Sequence, residues 1–137
     1  MGDSRIFVKA LVVFNRKVLI IRRSGYSNFG KCEWDIPGGG IQFGEDLLDG
    51  LHREVREETG LTVRVDRLIY ATTLVTSPDN QVVGLAYLCH TDTDAVILSH
   101  EHTDYLWATK EQLRARLSKS ALDIYTKNSV FDILNID

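Results

Sequence analysis

Glu54, Glu57 and Glu58 stand three and four positions apart in the run LHREVREETG, and that spacing carries chemistry. On a helix, residues three and four apart share a face. At roughly 100° per residue, Glu57 falls about 60° to one side of Glu54 and Glu58 about 40° to the other. Three carboxylates on one narrow arc raise one another's energy. A divalent cation reverses the sign of that interaction. Clustered hard oxygen donors suit Mg²⁺ or Mn²⁺.

A helix must carry these residues, and its ends are legible. Gly44-Glu45 opens it and Gly60 closes it as a C-cap. Leu48, Leu51, Val55 and Thr59 recur at three- and four-residue steps and form an apolar stripe, so the acidic face and the core face are distinct. Gly50 inside the helix costs up to about 1 kcal/mol against Ala, which predicts close packing against a strand. Upstream, residues 5–14 and 17–23 are rich in Val and Ile around Asn15-Arg16 and read as a hairpin. Residues 24–33 read as a loop, Trp34–Ile36 as a short strand, and Pro37 with Gly38, Gly39 and Gly40 as a tight glycine loop. Downstream, 62–76 predicts one long or bent strand, Ser77-Pro78-Asp79-Asn80 a turn, and 81–90 the return strand. Short strands are predicted at 95–98 and 105–107. A helix is predicted over 109–117 with Thr109 as N-cap, and another over 120–134. There is no internal repeat and no linker composition, so the expectation is one domain over 1–137.

Composition narrows the class. The chain has 137 residues, 44% hydrophobic and 26% charged, which suits a globular domain with a core. No apolar run approaches the ~18 residues of a membrane span. The start, MGDSRIFVKALVVF, reads as a strand and not as a signal peptide, since an acid precedes the apolar run and no small-residue cleavage site follows. The net charge of −3, with no Lys/Arg run, argues against a duplex nucleic acid partner but admits a nucleotide whose charge a metal offsets. Cys32 and Cys89 form no CxxC pair, so a reduced, cytoplasmic protein is expected. The sequence is silent on oligomeric state; a homodimer is compatible with it.

Other chemistries fit less well. The glycine run lacks the lysine of GxxxxGK[ST], which excludes a P-loop. His100 and His102 flank Glu101, but Cys32 and Cys89 have no ligand spacing to complete a site, which disfavours zinc. His52 and His90 read as packing or surface residues. Alternation sends one of Arg22 and Arg23 inward and the other outward. Tyr26, Phe29 and Trp34 are aromatic residues that either stack on a base or belong to core and rim.

The residues Gly39, Glu45, Arg53, Glu54, Val55, Glu57, Glu58, Gly60 and Leu61 fill a known pattern: Gly, five residues, Glu, seven residues, Arg-Glu-apolar, one residue, Glu-Glu, one residue, Gly-apolar. This resembles the Nudix box at every defined position, and Trp34-Asp35-Ile36-Pro37-Gly38-Gly39 resembles the family's lead-in. The box spans residues 39–61. The resemblance implies an α/β fold, an α/β/α sandwich with a mixed sheet and a loop-helix-loop site. It implies a metal-dependent hydrolase of a nucleoside diphosphate linked to another group, with MutT-like nucleoside triphosphate pyrophosphohydrolysis favoured. Mg²⁺ or Mn²⁺ is the implied cofactor, held by Glu54, Glu57, Glu58 and the Gly39 carbonyl. Arg53 would orient a carboxylate. Gly38, Gly40, Glu45 and Gly60 would shape the loops. The general base is a box glutamate or an acid outside the box, and Glu101 is the outside candidate for base or metal ligand. Arg23, Tyr26 and Phe29 are candidate substrate contacts. Pro78 lies near a proline of some ADP-ribose hydrolases of the family, but Ser-Pro-Asp-Asn is also an ordinary turn and is read as one. A non-catalytic nucleotide-sensing module is the competing class; such modules usually have a damaged box, and this box is intact.

Overall fold

The computed structural model describes residues 2–24 and 33–137. Its β1 (Asp3–Phe14) and β2 (Lys17–Arg23) form the expected hairpin. Asn15 and Arg16 take φ of 51° and 63°, the left-handed turn that matches strand twist. The two strands pair only at Val13–Val18 and Phe14–Lys17, then part. The segment from β3 (Trp34–Asp35) to β4 (Gly38–Gly40) fills the split. Here β3 pairs with β2, Pro37 offers its carbonyl to the Ala10 amide at 2.8 Å, and β4 pairs with β1.

The glycines are therefore ladder residues, which corrects the expectation of a free glycine loop for Gly38, Gly39 and Gly40. The physical reason is steric. Gly38 has φ of 150°, and a Cβ there would lie 2.1 Å from the Val8 carbonyl oxygen. Only bare backbone enters the split.

The remaining strands complete a mixed sheet. β5 (Arg64–Ser77) and β6 (Asn80–His90) pair antiparallel around Pro78-Asp79, and β6 runs parallel to β1. β7 (His102–Ala108) pairs with the free edge of β2. The order is β3-β2-β1-β6-β5, with β4 on β1 and β7 on β2.

Alternation along β1 feeds two cores. Val8, Ala10 and Val12 face α1 (Leu47–Thr59), joining Leu51 and Val55. Leu11 faces the other side, with Val18 and Ile20. That side is covered by α2 (Lys110–Arg116), α3 (Lys119–Lys127) and α4 (Val130–Leu134) through Leu113, Tyr125, Val130 and Leu134. Helices thus cover both faces of the sheet, the expected α/β/α arrangement.

Several boundaries differ from expectation. Asp46 caps α1, its side chain accepting from the Leu48 amide, so Glu45 lies just before the helix. Leu48 is 39% exposed and Leu47 packs in its place, because the core row follows the four-residue steps Leu47, Leu51, Val55 and Thr59. Residues 95–98 form no strand; Ile97 and Ser99 donate their amides to the carbonyls of Thr59 and Glu58 at the end of α1. The helix predicted over 120–134 is two helices, broken where Ser129 turns left-handed at φ 55°. Thr109 caps α2 as expected, in a reciprocal box with Gln112.

Gly50 is packed against the approach to the helix and not against a strand. A Cβ there would lie 2.3 Å from Ile41 Cδ1 and 2.9 Å from Glu45 Oε1. Gly50→Ala gains helix propensity of about 1 kcal/mol. Overpacking costs about 1–3 kcal/mol and displaces Glu45. A lower Tm than wild type is expected in a thermal melt; a higher one would mean that Ile41 simply turns aside.

Candidate active site

The C-terminal half of α1 delivers its carboxylates to the split between β1 and β2. Glu58 is the most confined of the three, its side chain 15% exposed. Its Oε1 accepts the Gly38 amide at 2.7 Å, and its Oε2 stands 3.6 Å from His102 Nε2. Burial pushes its pKa up to about 7, against the opposing pull of the Gly38 amide and Lys9. Glu54 lies flat on Gly39: a Cβ on that glycine would come within 2.6 Å of the carboxylate. Glu57 is more open, at 60% exposed.

Arg53 ties this face to the loop before it. Its guanidinium donates to Glu45 at 2.7 and 3.0 Å, to Glu54 at 2.9 Å, to Glu57 at 3.3 Å and to the Gly40 carbonyl at 3.2 Å. Glu45 also accepts the Gln42 amide at 3.0 Å. The Arg53 hydrogen bond, aided by that amide, holds the Glu45 carboxyl at about 2. Glu45 thus bonds both the Gln42 amide of the loop and Arg53 of the helix. Gly60 closes α1 with φ of 73°, away from the carboxylates.

Glu101 reaches the site from the turn before β7. The Glu101 carbonyl accepts from both the amide and the hydroxyl of Ser24, at 2.9 and 3.0 Å, which pins the turn to the end of β2. Glu54, Glu57, Glu58 and Glu101 border one surface hollow. A second cavity, of about 380 Å³, also touches Glu54, Glu58 and Glu101 and extends past Gly39 to Arg23, Lys9 and Asp35. Such a volume admits a nucleotide-sized ligand. Arg23 is the cavity-lining arginine of its pair; Arg22 stands 3.8 Å from Asp104. Tyr26 and Phe29 lie outside the described residues.

Three cavity residues escaped the sequence reading. Lys9 donates to Asp35 at 2.9 Å across the split. Burial pulls its pKa down, but Asp35 and Glu58 outweigh this and raise it, so Lys9 is charged. A lysine inside the apolar run FVKALVV was the available signal. Asp35 was visible only as part of the lead-in. His102 is 7% exposed and bonds Ser99 Oγ through Nδ1 at 3.2 Å; burial, then Arg23, lowers its pKa.

Among the described residues no three acidic, His or Cys side chains are already gathered as a metal cage. Each carboxylate is instead turned to a local donor, Glu54 and Glu57 to Arg53 and Glu58 to Gly38. The donor set still fits a hard divalent cation. It is all oxygen, Glu54 rests on the Gly39 backbone, and the confined Glu58 lacks enough positive charge to ionise at its ordinary pKa.

A mixed sheet sandwiched by helices, split to admit a glycine strand against which a helix sets its glutamates, defines the class of fold and site. The NUDIX domain model matches residues 5–127, and the chain belongs to that family. Members of the family generally use divalent metals. A MutT-like protein of Streptomyces ambofaciens is 30% identical over 103 residues, 75% of this chain and 62% of that protein. An oxidized purine nucleoside triphosphate hydrolase of Mus musculus is 39% identical over 46% of this chain, matching 39% of its own length. The chain thus spans less than two thirds of each of these curated relatives. Among solved structures, a MutT protein from Methanosarcina mazei Go1 superposes with a TM-score of 0.83 at 27% identity, covering 96% of both chains. No helix among the described residues is long and apolar enough to cross a membrane.

Proposed function

We propose that this chain is a single-domain, Mg²⁺- or Mn²⁺-dependent hydrolase that cleaves a diphosphate linkage in a nucleoside diphosphate derivative. Nucleoside triphosphates are the favoured substrates. The observation that carries this reading is the convergence of Glu54, Glu58 and Glu101 with Gly39 on one nucleotide-sized cavity. The mouse relative's name supports the substrate class.

When bound, the cation neutralises phosphate oxygens and acidifies water. Glu54, Glu57, Glu58, Glu101 and the Gly39 carbonyl would hold it. Arg53 keeps Glu54 and Glu57 in place through charge-assisted bonds. A box glutamate or Glu101 takes the proton of the attacking water. Arg23, on the cavity wall, reaches a phosphate of the substrate.

The test is incubation with nucleoside di- and triphosphates, including oxidised purines, nucleotide sugars and dinucleoside polyphosphates, read by mass or phosphate release. Turnover that requires the cation is expected. Folded protein without cation-dependent turnover on any member of the panel would overturn the reading.

A further inference from the structure

The cavity also carries a charged pair that lies outside the box. Lys9 Nζ and Asp35 Oδ2 are 2.9 Å apart, with side chains 26% and 54% exposed. Asp35 Oδ1 accepts the amide of Ile36 at 2.8 Å, so both carboxylate oxygens are fixed in direction. A carboxylate offers about four acceptor sites and an ammonium three donors. Two bonds leave about two of each, and both residues line the cavity. Phe7, two residues before Lys9 on the same face of β1, lines it too and supplies a flat apolar surface. Gly40 lies beside that ring: a Cβ there would be in van der Waals contact with Phe7 Cε1, at 3.7 Å.

A fixed donor beside a fixed acceptor, next to an aromatic ring, matches the edge and face of a nucleobase. Arg23, on the same cavity, is the cation assigned to a phosphate, and the Lys9–Asp35 pair itself is a poor phosphate site. Glu33 and Asp35 border the cavity, and Lys9 spends its shortest bond on Asp35. We propose that the Lys9–Asp35 pair selects the nucleobase of the substrate, Lys9 donating to a ring carbonyl and Asp35 accepting from the adjacent ring N–H. This rests on the hydrolase reading, which puts the diphosphate at the glutamates. The pairing favours oxo bases such as guanine and uracil. Their ring N–H is a stronger donor to a carboxylate than the exocyclic amine of adenine or cytosine, and their carbonyl projects toward the ammonium. Removing one member leaves a polar group of the other unpaired, which is the strong route to discrimination.

The experiment is calorimetric titration, with Mg²⁺ present, of hydrolysis-resistant analogues of GTP, UTP, ATP and CTP and of a base-free sugar diphosphate. Wild type is compared with Lys9→Gln and Asp35→Asn. Wild type is expected to prefer the GTP and UTP analogues by roughly tenfold or more. Both variants are expected to compress that preference to about twofold or less, and Asp35→Asn to bind the base-free probe as wild type does. If Lys9→Gln fails to fold, the near-isosteric Asp35→Asn decides alone. Equal binding of all four analogues by wild type, or of none, overturns the proposal. So does a uniform loss on every probe including the base-free one, which is what a merely structural strap or a general field on the phosphates would give. A protein that hydrolyses the panel but ranks the bases equally defeats this inference only. One that ranks them but never releases product defeats the hydrolase reading only.

Discussion

Glu58→Gln is expected to lower kcat by roughly 10²-fold or more while making the cation-free protein more stable near neutral pH. The two effects have one origin. Glu58 is held in a confined position where burial raises its pKa to about 7. In the unfolded chain the same group loses its proton near 4.5. Between those values the folded state binds the extra proton, so stability is fully present below about 4.5 and is lost as pH rises through about 7. A shift of this size corresponds to on the order of 2–3 kcal/mol at full ionisation. The neutral glutamine keeps the shape and the bond from the Gly38 amide but has no charge to bury. Melts of wild type and Glu58→Gln without divalent ions should therefore coincide near pH 4 and diverge toward pH 7, with the variant melting higher. Added Mg²⁺ should raise wild-type Tm at neutral pH and leave the variant nearly unmoved. Wild-type turnover in Glu58→Gln, or in the companion Glu57→Gln, would refute the roles proposed for them. Melting curves that stay parallel across the pH range would refute the account of Glu58 as a strained charge.

Arg53→Ala is expected to damage both stability and activity, with a fall in Tm of roughly 5–10 °C. Among the described residues, Arg53 connects the loop before α1 to two of its carboxylates, through Glu45, Gly40, Glu54 and Glu57. Without it, Glu45 and Glu54 face each other across a half-closed site with no cation between them. Arg53→Lys should restore little, because an ammonium cannot reproduce the two-pronged bond to Glu45 while also reaching Glu54. The pH dependence has the opposite sign to that of Glu58. Glu45 is held at about 2, so its contribution is present above about 4.5 and lost as pH falls toward 2. Acid melts of wild type and Arg53→Ala should converge as pH drops. Equal Tm values at pH 7 would show that the hub contributes nothing to folding.

Both variants test features of different legibility. The acidic arc of α1 could be read from spacing alone, since helical periodicity forces Glu54, Glu57 and Glu58 onto one side whatever surrounds the helix. The C-cap at Gly60, the turn at Asn15-Arg16 and the cap at Thr109 were legible for the same reason: each depends on backbone conformation within a few residues. The glycine run was misread because a free loop and an unadorned ladder strand have the same local composition. What separates them is the Val8 carbonyl of another strand, 2.1 Å from where a side chain would begin. The strand expected at 95–98 failed similarly. Its apolar residues match a strand pattern, yet its amides bond to the end of α1 and not to the sheet.

The sequence by itself determined the acidic face of one helix and the alternation that gives β1 two cores. These follow from short-range geometry that every chain obeys. Only the tertiary structure decided that β1 and β2 pair for two residues and then part. That split brings Lys9, Asp35, Glu58 and Glu101, separated by up to 92 positions (101 − 9), to one cavity. It also gives Glu58 its raised pKa, since burial is a property of everything packed around a group and not of its neighbours in the chain.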